Sequence, residues 1–219
     1  MTRKERAKAI FAILAAANPN PDTELDYETA WQLLAAAMLS AQSTDKQVNK
    51  VTTTLFRKYP GPAEIAALEP EQLAEKIKTL GLFRNKSKYL VAAAHAVVEQ
   101  HGGQVPQNRK ALQALPGVGR KTANVVLSNA FNIPAMAVDT HVLRVANRLG
   151  LAKSKTPEAV EQQLMRAIPR ALWPDAHHWL ILHGRYTCIA RRPKCPQCSI
   201  SKHCEQYIKG QRKSAQNID

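Results

Sequence analysis

The sequence has few cysteines, few acidic residues and no long apolar run, and each shortage excludes a class of protein. Its 219 residues include four cysteines, all of them between Cys188 and Cys204. Thiols packed into one short segment favour a metal site over a disulfide framework. No window approaches 18 consecutive apolar residues, so no transmembrane helix is predicted. The length suits one domain or two small ones.

Acidic residues are scarce beside basic ones. Asp and Glu total 17 against 31 Lys and Arg, which leaves a net charge of +14 and an isoelectric point of about 9.9. This surplus indicates a polyanionic partner, either nucleic acid or an anionic membrane surface. A merely solvated basic surface would have the same composition.

The N-terminal segment places basic residues before an apolar stretch, which is the order found in signal peptides. Its basic residues, from Arg3 to Lys8, nevertheless interleave with apolar residues at helical spacing, and no clear small-residue cleavage motif follows. We therefore predict an amphipathic helix of a cytoplasmic protein.

Runs with the two-residue period of a strand are also rare. Apolar residues recur at three- and four-residue spacing instead, which predicts an all-α protein of short helices. Asp26 is predicted to cap a helix that carries Trp31 and Met38, and Thr44 or Asp45 is predicted to cap the next one. Later helices are predicted at 87–100, 109–114, 120–130, 139–149 and 175–186. The polar tail, 210–219, is expected to fray.

The most informative segment is 115–123, with the sequence Leu-Pro-Gly-Val-Gly-Arg-Lys-Thr-Ala. It is not a P-loop, because Arg120 separates Gly119 from Lys121, and it lacks the third glycine of a dinucleotide fingerprint. What remains is a tight turn at Gly117 and Gly119 between two helices. Such a turn brings backbone N–H groups and two cations close to an anion. We predict a phosphate clamp that reads no base sequence, with a purely structural αα-hairpin as the alternative.

This segment resembles the helix-hairpin-helix of the DNA glycosylase superfamily, and the likeness extends over nearly the whole chain. Further stretches resemble the endonuclease III family of that superfamily: 39–45 (Leu-Ser-Ala-Gln-Ser-Thr-Asp), 81–86 (Gly-Leu-Phe-Arg-Asn-Lys), 138–144 (Val-Asp-Thr-His-Val-Leu-Arg) and 177–188, which leads into the cysteines. The resemblance implies a two-lobed fold. A six-helix barrel domain at 21–132 would include the hairpin at 109–128, and 1–20 with 133–219 would form an iron–sulfur cluster domain.

The resemblance also implies an activity, that of a bifunctional DNA glycosylase and abasic-site lyase for oxidised pyrimidines. Lys121 would attack C1′ of the sugar and form a Schiff base, and Asp139 would stabilise the cation-like transition state. The helix N-terminus, Arg120 and partial burial are expected to lower the pKa of Lys121. Alternatively, Lys121 is only a phosphate-facing cation. Asp139 can also be a helix N-cap, with or without a catalytic role.

The four cysteines have the spacing C-x6-C-x2-C-x5-C at Cys188, Cys195, Cys198 and Cys204. Spacing alone supports zinc or an iron–sulfur centre, with zinc slightly favoured because structural zinc on four cysteines is common. The resemblance implies a [4Fe–4S] cluster with a structural role. Three basic residues follow the first ligand and are expected to press on the phosphate backbone, unless the loop is merely solvated: Arg191, Arg192 and Lys194.

Two further residues match positions that enter the duplex in this family. Gln42 would fill the gap left by a flipped-out base, and Leu82 would part the opposite strand. His141 is interpreted as a structural histidine rather than a phosphate contact. The expected partner is double-stranded DNA with an oxidised pyrimidine or an abasic site. We expect a monomer in the cytoplasm, associated with the nucleoid and not with a membrane.

Two other functions stay open on the sequence. One is a non-catalytic DNA-binding module that uses the hairpin and the cysteine segment as clamps. The pair Lys121 and Asp139 argues against it, because a clamp for an anionic ligand needs no carboxylate. The other is a glycosylase for mismatched or alkylated bases, because the residues that shape a lesion pocket are scattered along the chain.

Overall fold

The structure, a computed structural model, describes residues 1–216, and it describes their side chains as far as Arg212. Within these residues there are helices and turns but no strand, so the predicted all-α class is confirmed. The α-helices in chain order are α1 (Arg3–Ala17), α2 (Ala30–Leu39), α3 (Asp45–Lys58), α4 (Pro62–Ala66), α5 (Pro70–Ile77), α6 (Phe83–His101), α7 (Arg109–Ala114), α8 (Arg120–Phe131), α9 (Thr140–Leu149), α10 (Pro157–Ala167), α11 (Trp173–Tyr186) and α12 (Glu205–Gln216).

The chain separates into two compact units. One contains residues 23–133, and the other contains residues 1–22 and the chain from Pro134 onward. In the first unit α2 is the central helix: every residue from Trp31 to Leu39 is buried, and α2 packs against α3, α6 and α8. A helix that is apolar on all sides must be enclosed on all sides, which explains its place.

The second unit is built on α1, α9, α10 and α11. Helix α1 buries Ala7, Ile10, Phe11 and Leu14, whose spacing forms a single face, as predicted for an amphipathic helix. Phe11 packs on Trp179 of α11 with ring centroids 5.9 Å apart. None of the helices within residues 1–216 combines the length and the apolarity that crossing a bilayer requires.

Most helix starts were predicted correctly from local sequence signals, and a few were predicted wrongly. Thr44 caps α3, as predicted. Thr29, not Asp26, caps α2: the Gln32 N–H donates to the Thr29 hydroxyl at 3.2 Å, and Asp26 lies outside the helix, where its own backbone N–H donates to the Asn49 side chain. Helix α6 starts at Phe83 rather than near residue 87, since Leu82 at its N-cap has no capping side chain to signal it.

Two predictions near the C-terminus also need correction. Helix α11 begins at Trp173, before the expected Asp175, and it has Pro174 in its first turn. Helix α12 continues to Gln216, so the frayed tail is wrong for residues 210–216. The rest of that tail, 217–219, lies outside the described residues.

Candidate nucleic-acid interface and cysteine segment

The predicted hairpin is present as α7, a turn at 115–119, and α8. Leu115 and Val118 are buried and anchor the turn, and the Val118 N–H donates to the Leu115 carbonyl at 3.1 Å. Gly117 has a φ of +75°, and a Cβ at this position would stand 2.7 Å from Cβ of Tyr89. Both the backbone conformation and the packing against α6 therefore require glycine here.

Gly119 differs from Gly117 in both respects. Its φ is −84°, which any residue adopts, and an added Cβ would meet no atom within 4 Å. Gly119 is the N-cap of α8, and it offers no side chain to cap the first turn. Open space and an uncapped helix start favour the approach of an anion. Arg120 and Lys121 follow directly, and both are half-buried.

Asp139 is the N-cap of α9, and its Oδ1 accepts from the Val142 N–H at 2.7 Å. The capping interpretation is thus correct for one carboxylate oxygen. Among the described residues no hydrogen bond engages Oδ2. The segment before Asp139 is buried, and the carbonyl of Ala137 lies 2.7 Å from Nδ1 of the buried His177. No role was predicted for His177 from the sequence. Two adjacent histidines within an apolar helix were nevertheless a signal of a buried polar contact.

His141 lies in the first turn of α9, and its Nδ1 is 3.2 Å from Nη2 of Arg144. That guanidinium also donates to the carbonyls of Gly184 and Cys188, at 2.9 and 3.2 Å. His141 is therefore part of the contact between α9 and the end of α11. This arrangement supports its interpretation as a structural residue.

Gln42 and Leu82, the two residues predicted to enter the duplex, stand in neighbouring loops of the 23–133 unit. Both have left-handed backbone conformations, with φ of +53° and +59°, and both are exposed, Leu82 by 52 %. A Cβ on Gly81 would be only 3.1 Å from the Gln42 carbonyl oxygen, so the two loops lie against each other. Leu82 is among the few exposed large apolar residues of the described chain.

The four cysteines lie on the irregular segment 188–204, whose regular parts are two short 3₁₀ turns, Cys195–Gln197 and Ser201–His203. All four are half-buried, and none forms a disulfide. Burial raises the pKa of the Cys198 and Cys204 thiols, and the neighbouring cysteines raise it further, so the four lie near one another. No three His, Cys, Asp or Glu side chains within the described residues converge as closely as one bound metal ion requires.

Two arginines of α9 hold the start of this segment. Arg144 Nε donates to the Cys188 carbonyl at 3.3 Å, and Arg148 donates to the carbonyls of Ile189 and Ala190 at 2.8 and 2.9 Å. Nε2 of the buried His183 lies 3.7 Å from Sγ of Cys198. Burial lowers the pKa of His183 to about 4, so this imidazole is neutral near pH 7.

The three basic residues of the segment are exposed. Lys194 closes the loop through its backbone N–H, which donates to the Thr187 carbonyl at 3.0 Å. Arg192 has a φ of +56°. Among the described residues Arg191, Arg192 and Lys194 form no ion pair with an acidic side chain, which leaves their charge available to a partner.

Comparison with known proteins decides the family. The model of the HhH-GPD superfamily of base excision DNA repair proteins matches residues 35–170. Endonuclease III of Rickettsia conorii is 52 % identical over 199 residues, which cover 91 % of this chain and 95 % of that protein. The chain belongs to the endonuclease III family.

Other members of the endonuclease III family match to a similar extent. The Escherichia coli K12 protein is 48 % identical over 202 residues, which cover 92 % of this chain and 96 % of that one. A solved structure of a trapped endonuclease III–DNA covalent intermediate has a TM-score of 0.91 and 42 % identity, and the match covers 97 % of this chain and 100 % of that one.

Membership in the endonuclease III family confirms the expected activity in its broad form. The protein is a bifunctional DNA glycosylase and lyase of base excision repair, and DNA is its substrate. A non-catalytic DNA-binding module is thereby excluded. Lys86 has no predicted role in the sequence, yet its ammonium lies next to the Gln42 loop, where Nζ donates to Ser43 Oγ at 2.9 Å. Its position on the buried face of α6, with Leu90 and Val97, was the available signal.

Proposed function

We propose that this enzyme removes oxidised pyrimidines from duplex DNA through a Schiff base on Lys121 and cuts the strand 3′ to the lesion by β-elimination. The observation that supports the assignment is the place of Lys121, in the first turn of α8 directly after the open, uncapped turn at Gly119. A phosphate at that helix start would bring the sugar of a flipped nucleotide close to the amine.

Lys121 acts as the nucleophile. Its neutral Nζ attacks C1′ as the bond from C1′ to the base breaks, and loss of a proton and opening of the sugar give the iminium. The iminium makes the C2′ protons acidic. Removal of one of them expels the 3′ phosphate, which breaks the C3′–O bond and cuts the strand.

Asp139 stabilises positive charge that develops at C1′ as the base departs. One of its oxygens is engaged as the α9 cap, and Oδ2 serves the substrate. The cap fixes the carboxylate in place, so its charge needs no reorganisation during the reaction. Capping and catalysis are thus compatible roles for the two oxygens of one side chain.

The remaining predicted residues bind the duplex. Gly117 and Gly119 shape the turn that binds a backbone phosphate, with charge from Arg120. Gln42 fills the vacated stack, and Leu82 wedges the opposite strand. The other unit contributes its exposed basic residues to the phosphate backbone: Arg191, Arg192 and Lys194.

The residues that would hold a [4Fe–4S] cluster are Cys188, Cys195, Cys198 and Cys204. Four half-buried thiols on one short segment form a soft donor set, which suits an iron–sulfur cluster. When bound, the cluster crosslinks a segment with little core of its own. The cluster domain would be 1–20 with 133–219, and the barrel domain 21–132. The enzyme works as a monomer at the DNA of the cytoplasm.

Borohydride trapping with DNA that carries a thymine glycol or an abasic site tests the proposal. Lys121→Gln keeps a polar side chain of similar length but forms no imine, so it should bind abasic DNA and give neither a trapped adduct nor a β-elimination product. Trapping at the wild-type level would move the chemistry to another amine.

Asp139→Asn is the matched variant, because asparagine caps a helix as well as aspartate does. It removes the charge alone, so base excision should fall by about 10²- to 10³-fold while slow trapping at a preformed abasic site persists. Unchanged excision would remove Asp139 from the reaction. Excision of an alkylated base in preference to thymine glycol would overturn the proposed lesion class.

A further inference from the structure

Lys86 is a buried charge with an unusual set of partners. Its side chain lies on the inner face of α6 and the residue is only 7 % exposed. Nζ donates to Oγ of Ser43 at 2.9 Å, and within the described residues no carboxylate pairs with it. Burial lowers the pKa of Lys86, as expected for an ammonium moved away from water. A charge held there by a single hydroxyl contributes little to stability.

The position of Lys86 links two loops that are distant in sequence. Its backbone N–H donates to the Leu82 carbonyl at 3.0 Å, and its ammonium reaches Ser43, the residue after Gln42. The backbone bond belongs to the first turn of α6 and any residue at this position would form it, so the ammonium–Ser43 bond is the contact by which Lys86 ties the start of α6 to the Gln42 loop. The close approach of Gly81 to the Gln42 carbonyl, 3.1 Å for an added Cβ, is a second contact between the loops.

Both loops need such support because each contains a residue with a left-handed backbone conformation. Gln42 and Leu82 have left-handed φ angles of +53° and +59°, and neither residue is glycine. Such a conformation is unfavourable for a residue that carries a Cβ, and it persists only where the surroundings impose it. A loop released from its contacts would relax toward other conformations and move the side chain that it presents.

We propose that Lys86 is a positioning residue that holds the Gln42 and Leu82 loops as one rigid unit, so that both side chains enter the duplex together. This inference rests on the proposed roles of Gln42 and Leu82. Its consequence is specific: Lys86 matters where a base must be displaced from a paired stack, and does not matter where the abasic sugar is already unpaired.

The test compares single-turnover excision from duplex DNA with cutting of an abasic site in single-stranded DNA. Lys86→Met keeps the apolar stem and removes the ammonium, and Ser43→Ala removes its acceptor. Each should lower the rate on duplex by about 10- to 100-fold, the scale of a displaced positioning group, and leave the single-stranded rate within about twofold. The double variant should lose no more than the worse single variant, because both changes break one interaction.

Lys88→Met is the matched control, since it removes an exposed lysine from the same helix and should leave the ratio of the two rates unchanged. Fluorescence of 2-aminopurine opposite the lesion reads the opening of the stack directly, and it should fall for Lys86→Met. The Gly81→Ala variant keeps Lys86, but its added methyl group would stand 3.1 Å from the Gln42 carbonyl oxygen and should displace that loop. It should show a smaller loss of the same selectivity.

Three results would contradict the proposal. Equal losses on both substrates in Lys86→Met, in step with a lower melting temperature, would assign Lys86 a purely structural role. Additive losses in the double variant, or an unchanged duplex rate in Lys86→Met, would show that the contact between Lys86 and Ser43 does not hold the two loops together. A wild-type enzyme inactive on both substrates would instead overturn the proposed function, and this inference with it.

Discussion

The hairpin turn at 115–119 and the cysteine segment at 188–204 are both irregular, and each follows a helix. The hairpin turn is fixed by apolar packing: Leu115 and Val118 are buried, and Gly117 fits against Tyr89 without room for a methyl group. Its shape is complete in the protein chain alone. An anion that binds there meets a site that is already formed.

The cysteine segment has less apolar packing: Ile200 belongs to the hydrophobic core of its unit, and Cys188, Cys198 and Cys204 are half-buried against that core. Within the described residues 188–204, Ile200 is the only large apolar side chain that is fully buried. Arg144 and Arg148 bind carbonyls at its start, and the rest consists of short turns. A segment with so little core should gain much of its order from the proposed cluster, whereas the hairpin is complete without one. The two regions should therefore respond differently to the same kind of damage.

The largest expected effect is loss of the proposed iron–sulfur cluster. Cys198→Ser should remove iron and the brown colour of the purified protein, and lower its stability by about 4 kcal/mol or more. Hydrogen exchange should show lost protection in 188–204 with protection retained in the hairpin. Ser199→Ala, at an exposed neighbour, is the control. Metal analysis of the wild type that finds one zinc and no iron would reject the cluster.

The next effect separates the two glycines of the hairpin. Gly117→Ala combines a positive φ with a contact of 2.7 Å, so it should lower the free energy of unfolding by about 2–4 kcal/mol. Gly119→Ala has open space around it and should cost at most about 1 kcal/mol, the penalty of a poorer N-cap.

Affinity for abasic DNA, measured on the folded fraction of each variant, should show the opposite order. Gly119→Ala should lose more affinity than Gly117→Ala. Gly119→Ala should weaken binding by about tenfold, because the methyl group occupies space meant for a phosphate and about 1.4 kcal/mol is lost. Denaturant unfolding and fluorescence anisotropy measure the two quantities. If Gly119→Ala binds as the wild type does, the phosphate lies elsewhere.

A smaller effect is expected for the basic residues of the cysteine segment. Lys194→Ala should weaken binding to all DNA sequences alike and reduce the slope of log K against log salt by about 1. Gln197→Ala, a neutral exposed neighbour, should leave the slope as it is. An unchanged slope for Lys194→Ala would mean that the cysteine segment does not contact the DNA phosphate backbone.

The smallest effect concerns pH, and it extends the comparison to the two whole units. The described residues of 23–133 bury a single titratable side chain, Lys86, whereas the other unit buries His177, His178, His183 and Glu161. Burial lowers the pKa of His178, and Arg185 lowers it further, while Asp22 and Asp175 act in the opposite direction.

The folded protein therefore binds a proton at His178 less readily than the unfolded chain does. Stability should fall as the pH drops below about 6.5, the ordinary pKa of histidine, toward the lowered folded value. His178→Gln should make this decline shallower in melting curves between pH 7 and pH 5. His95→Gln, at an exposed site, should not, and equal slopes in wild type and His178→Gln would show that other groups dominate.

Several features of the fold and of the site were predictable from sequence because they depend on neighbours three or four residues apart. Asp139 and Thr44 cap their helices through the N–H three residues on, which is a local geometry that the sequence states directly. The hairpin follows from two glycines between two periodic segments. The start of α6 was not predictable, because Leu82 adopts its left-handed conformation without any of the residues that favour it.

By itself the sequence determined the all-α class, the helix-hairpin-helix, the clustering of the cysteines and the family to which the chain belongs. Only the tertiary structure decided which distant groups meet. Lys86 donates a hydrogen bond to Ser43, which is 43 residues away in the sequence, and His177 contacts the carbonyl of Ala137, which is 40 residues away. Tyr89 packs against Gly117. Helix periodicity and capping are local and repeat along the chain. Pairing between helices depends on how their side chains interlock, which no short stretch of sequence specifies.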